Sequence, residues 1–139
     1  MSTFARVVAF LLGLAIAGCA WLPWTPTFLG LDVPLSTLLS PGSPADGVSW
    51  ALTLGMAVLV SGGLVALGAI ANSRALVVIG GLGAVAFPTA WILVNAISSG
   101  PGTIAITQVK IGAYGAAIGG FMTLILAAVA VDTRVPSVR

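Results

Sequence analysis

Polar residues are sparse along this chain and act as punctuation between four apolar stretches, at about 4–22, 48–71, 75–96 and 109–131. Each approaches or exceeds the roughly 20 apolar residues with which an α-helix crosses a bilayer. Within them, small and bulky residues recur at helical spacing rather than alternating as they would in strands. The pattern predicts an all-α fold: an antiparallel four-helix integral membrane bundle forming one transmembrane domain over residues 1–139. A loop at 23–47 joins the first helix to the second.

The fourth stretch has the clearest two-sidedness. Gly112, Gly115, Ala116, Gly119, Gly120 and Thr123 fall on one face, and Ile111, Tyr114, Ile118, Phe121, Met122 and Ile125 on the other. In lipid, association relies on close van der Waals contact across small residues, of which Gly115-xxx-Gly119 is a recognised form. This seam either packs inside the chain, level with Gly18 and Cys19 of the first helix, or docks another subunit. The internal arrangement is favoured because such faces are common within single bundles.

In the second stretch, Gly55, Gly62, Ala66 and Ala69 make a small face, with Gly63 beside it. The connection Asn72-Ser73-Arg74 is so short that the second and third helices must be antiparallel neighbours. Counting equally from Ser73 puts Gly63 level with Gly83 and Ala66 level with Gly80, so these small residues are expected to meet across that hairpin. Pro88 removes the donor for the carbonyl of Ala84, with Thr89 beside it, and should bend the third helix there.

The loop at 23–47 is rich in proline and holds Asp32 and Asp46. Asp32 is placed to cap a short helix with Pro34 in its first turn. Leu35, Leu38 and Leu39 then share a face until Pro41-Gly42 stops it. The segment is expected to lie in the headgroup layer or fold back over the bundle, and otherwise to dock a partner through Asp32, Pro34, Leu35, Leu38 and Leu39. A second loop is marked by 98–102. Residues 104–109 could be extended or begin the fourth helix early, and 132–139 reads as a frayed polar end. Ile16-Ala17-Gly18-Cys19 has the form of a lipobox preceding a lipidated cysteine. A chain cut there would carry three spans behind its anchor, so the expectation is an uncleaved first helix with Cys19 as a small buried residue.

Composition narrows the chemistry. The chain is 59% hydrophobic and 6% charged, with mean hydropathy +1.19; soluble domains are about a quarter charged. With no histidine, one cysteine and three carboxylates, metal cages, Cys/His nucleophile pairs and intrachain disulfides are excluded. Five scattered cations make no nucleic-acid footprint. Arg6, Arg74, Arg134 and Arg139 would share one side of a four-span bundle and Lys110 the other, which assigns both termini to the cytoplasm. Trp21, Trp24 and Trp50 would mark the outer interface, with Trp91 somewhat deeper.

An ion-coupled carrier keeps an ionisable group within the membrane. Here the deepest polar groups are Thr53, Ser61, Thr89, Asn95 and Thr123. Small multidrug transporters have the same length but use a first-helix glutamate, which this chain lacks. The Ala/Gly/Val-rich composition, the Trp21-Leu22-Pro23-Trp24 exit from the first helix and the four-span pattern resemble small actinobacterial membrane proteins. The most similar are the LucA-like accessory subunits of mycobacterial Mce lipid-import transporters. That resemblance implies a non-catalytic inner-membrane subunit without cofactor or metal, in contact with membrane lipids and held in a hetero-oligomeric complex with permease subunits. Its role would be to stabilise or regulate the transporter. The alternatives are a self-associating channel or holin-like pore, and a small-molecule carrier. Either needs the five polar residues to converge on one lumen.

Overall fold

A computed structural model describes residues 1–25, 29–38, 52–97 and 109–132. Leu39, Pro41-Gly42, Asp46, Trp50, Arg134, Arg139 and the residues at 98–108 lie outside the described residues. The chain forms α1 (Thr3–Gly18), α2 (Leu54–Ile70), α3 (Arg74–Ile97) and α4 (Ile111–Asp132), with single 3-10 turns at Cys19–Trp21, Gly30–Asp32 and Leu35–Leu38. The fold is an all-helical bundle in which α1 packs on α2, α2 on α3, α3 on α4, and α4 back on α1. Three helical segments, Thr3–Trp21, Arg74–Ile97 and Ile111–Ala130, are long and apolar enough to cross a membrane. Outward faces are bulky and apolar, as at Leu11, Ile79, Leu93 and Phe121, which suits lipid-facing positions.

The helix ends follow from local donors and acceptors. Ser2 caps α1 by accepting the Ala5 N–H at 3.2 Å. At the far end of α2, Asn72 takes a left-handed conformation (φ 53°), and the Ser73 N–H reaches back to the Gly68 carbonyl at 2.8 Å. This is the Schellman pattern, and it makes the sharp reversal into α3 possible. Two further carbonyls of that last turn are satisfied from α1. Arg6 donates through Nε to Ala69 (2.9 Å) and through Nη2 to Ile70 (2.8 Å), so its charge also sits at the negative end of the α2 dipole. The Met1 ammonium donates to Asn72 Oδ1 at 3.1 Å. Arg6 and Arg74 therefore lie at this turn end of the bundle.

The opposite end is built differently. The pattern predicts α2 from about residue 48, whereas it begins at Leu54. Thr53 accepts the Met56 N–H at 3.2 Å, and the Val33 carbonyl takes the Leu54 N–H at 2.8 Å. With its first donors met this way, α2 has 17 residues against 24 in α3. At 1.5 Å per residue that is roughly 25 Å against roughly 36 Å. Both helices leave the same turn, so α3 extends about 10 Å further. The difference is filled by residues 22–25 and 29–34, which we term the strap. It crosses the end of α2 with backbone against backbone: a Cβ on Gly55 would fall on the Gly30–Leu31 peptide. Lys110 lies at this strap end, its N–H donating to the Trp24 carbonyl at 2.9 Å.

Candidate functional site

Glycines set the close approaches of the interior, so the candidate surface is their packing. Between α1 and α2 the contact is Gly13 and Ala17 against Gly62 and Ala66. A Cβ on Gly62 would stand 2.5 Å from the Ala17 nitrogen and 2.6 Å from the Gly13 oxygen. A Cβ on Gly13 would stand 2.7 Å from both the Ala66 nitrogen and the Gly62 oxygen. This corrects the expected pairing of Ala66 with Gly80 and of Gly63 with Gly83. Gly62 and Ala66 face α1, and Gly63 faces open space, with nothing within 4 Å of its Cβ position. The α2–α3 hairpin instead closes through Gly68 on Val77, Gly80 on Ser61 and Val65, and Gly83 on the Ser61 hydroxyl. Gly68–Val77 and Gly80–Val65 sit one residue from the counted register, and Ser61 lies two residues off it against Gly83 and five against Gly80. One residue is about 100° of helix rotation, enough to turn a different face inward.

The α4 seam packs within the chain. Going down the helix, Gly112 lies under the Trp24 indole, Gly115 against Cys19 Sγ (3.2 Å from its Cβ position) and Gly119 against Ile16 (2.9 Å). Gly120 meets the Gly81 carbonyl and the Ala84 methyl on α3, each at 2.9 Å, and Ala116 is fully buried between them. The bulky residues opposite, Ile111, Ile118, Phe121 and Met122, are all more than half exposed. Gly13 and Ala17 were the partners the sequence reading passed over, although Gly13-xxx-Ala17 has the same small-xxx-small form as Gly62-xxx-Ala66.

Trp24 is the centre of the strap end. It is fully buried, its Nε1–H donates to the Cys19 carbonyl at 3.0 Å, and its ring lies tilted 5.6 Å from the buried Trp91. Room for it comes from two missing side chains. A Cβ on Gly112 would meet its Cδ1 at 2.5 Å, and one on Gly30 would meet its Nε1 at 2.6 Å. The strap carbonyls beside it serve α4: Pro23 accepts the Gly112 N–H (3.0 Å) and Trp24 that of Lys110 (2.9 Å). Donors at the start of α4 are thus met by the strap. Trp24 and Trp91 are therefore interior groups, not members of an interfacial belt; Trp21 is the exposed tryptophan among those described.

The strap also revises the expected loop helix. Asp32 accepts the Leu29 N–H at 3.3 Å and closes the Gly30–Asp32 turn behind it, rather than capping a helix ahead. Pro34 is buried and bridges to Thr53, and Leu38 packs half-buried against the core. The turn Leu35–Leu38 lies beside α3. The described part of the loop thus folds onto the bundle.

Three of the five deep polar side chains bond back to their own helices. Ser61 donates to the Ala57 carbonyl (2.8 Å), Asn95 to Trp91 (2.9 Å) and Thr123 to Gly119 (2.8 Å), each one turn back on its own helix. Thr53 caps α2, and Thr89 is exposed. Among the described residues every buried side-chain nitrogen or oxygen has a partner, and no three His, Cys, Asp or Glu residues gather as metal ligands would. Comparison with protein-family models, curated proteins and solved structures returns no match.

Proposed function

We propose that this protein is a non-catalytic accessory subunit that stabilises or regulates a larger inner-membrane complex. The observation carrying this reading is that Ser61, Asn95 and Thr123 each donate to a carbonyl of their own helix, while the small faces of α2 at Gly62 and Ala66 and of α4 at Gly112, Gly115, Gly119 and Gly120 pack inside the bundle. A polar path for a channel or carrier would need those groups to share a lumen. What remains for a partner is the apolar exterior, where packing and lipid entropy drive association. The chain's resemblance to LucA-like subunits makes a lipid importer of the Mce type the partner proposed, with permease subunits in contact and ATP hydrolysis left to others. Four spans with both termini in the cytoplasm follow from the cations of the turn end by the positive-inside rule.

Purification from the native membrane in mild detergent, followed by identification of what accompanies the protein, tests the role. Permease and ATPase components of a lipid importer are expected. Recovery of the chain alone, or as a homo-oligomer that conducts ions in planar bilayers, overturns it.

A further inference from the structure

Two apolar grooves at the turn end each carry an arginine, and the two arginines are in opposite states. One groove, about 300 Å³, lies between α1 and the end of α2, lined by Thr3, Arg6, Val7, Phe10, Ala69 and Ile70. Its guanidinium is turned onto the Ala69 and Ile70 carbonyls, donating through Nε and Nη2. The other, about 400 Å³, runs down the first turns of α3 and is lined among the described residues by Arg74, Ala75, Val78 and Ile79. Arg74 is exposed, and its guanidinium has no hydrogen bond or ion pair with the described residues.

These four residues share one helix face, with the cation at the end of the bundle and the apolar positions up to about 8 Å deeper. An unengaged cation at the rim of an apolar groove complements an amphiphile with a negative head. A guanidinium binds phosphate oxygens in pairs, and the groove offers Ala75, Val78 and Ile79 to an acyl chain. A zwitterionic lipid would fill the same groove, but its own ammonium offsets the attraction to Arg74. We propose that the Arg74 groove is a binding site for an anionic phospholipid of the leaflet at the turn end, with the headgroup phosphate on Arg74 and a chain along Val78 and Ile79.

The test places the full chain in nanodiscs of equal phosphatidylglycerol and phosphatidylcholine, extracts it gently and counts retained lipids by native mass spectrometry. Phosphatidylglycerol is expected to be enriched. Arg74→Gln should lower its retention about fivefold, which corresponds to ~1 kcal/mol per basic residue near an anionic surface. Ala75→Phe keeps the charge but fills the groove, and should lower retention as well. Both positions are exposed, so neither substitution touches the core. Equal retention of the two lipids by the wild type overturns the proposal, as does an Arg74→Gln variant that retains phosphatidylglycerol normally. An Ala75→Phe variant with wild-type retention also overturns it, because attraction would then be diffuse and no lipid would be seated.

Discussion

Gly62 and Gly63 are adjacent, chemically identical and in the same helix, yet alanine should have opposite effects at the two. At Gly62 the new methyl would stand 2.5 Å from the Ala17 nitrogen and 2.6 Å from the Gly13 oxygen. Both are backbone atoms of α1, with no flexible side chain to yield. Ordinary contact begins near 3.4 Å, so α1 and α2 must separate by about 1 Å. A gap of that size forfeits roughly a quarter to a half of each van der Waals well along the seam. Overpacking of this kind costs about 1–3 kcal/mol, partly offset by up to ~1 kcal/mol of helix propensity gained over glycine. At Gly63 only the gain applies, because its Cβ position meets nothing within 4 Å. Gly62→Ala should therefore destabilise by about 1–2 kcal/mol and Gly63→Ala stabilise by about 0.5–1 kcal/mol. The difference, about 2 kcal/mol, is roughly thirtyfold in an unfolding constant. Reversible unfolding in mixed detergent–SDS micelles, followed by tryptophan fluorescence and far-UV circular dichroism, measures both variants against one baseline. Equal shifts, or a larger loss at Gly63, would refute the assignment of the α1–α2 face.

Other outcomes follow from single contacts. Arg6→Gln should cost about 1–2 kcal/mol in the same assay, because two α2 carbonyls lose a charged donor at a partly solvated site; no change would mean that water caps them equally well. Trp24→Phe keeps most of the ring but leaves the Cys19 carbonyl with the Leu22 N–H alone (3.3 Å), a loss of about 0.5–1.5 kcal/mol, while Trp24→Ala should cost about 3–5 kcal/mol by opening a cavity above Trp91. A Trp24→Phe variant as stable as wild type would remove the indole bond from the account. Intact mass should find residues 1–18 still attached, since cleavage before Cys19 would strip Gly13, Ala17 and Ile16 from the faces they fill; a lipidated species beginning at Cys19 would contradict this. In a Cys19→Ala background, a cysteine at Ala71 should resist a membrane-impermeant thiol reagent added outside intact cells, and labelling there would reverse the proposed orientation.

Much of the architecture was legible in the residues because it depends on local terms. Apolar length predicts four helices, and α3 and α4 begin and end within two residues of the expected 75–96 and 109–131. The division of α4 into a small face and a bulky one also holds, since helical period alone determines it. Depth across the α2–α3 hairpin was legible to about one residue at Gly68–Val77 and Gly80–Val65, because the rise per residue is constant and the turn is short. Rotation about the helix axis was not. α2 lies between two neighbours and presents small residues to both, Gly62 and Ala66 to α1 and Gly68 to α3, so no single stripe identifies its inward side. The strap was beyond sequence reasoning for a related reason. Trp24 reads as an interfacial tryptophan until Gly30 and Gly112, brought together from distant parts of the chain, leave a space its ring can fill. Period and length are properties of one segment and can be read from it, whereas helix rotation and the seat of Trp24 depend on which backbones can touch, and that is decided only when all the segments pack together.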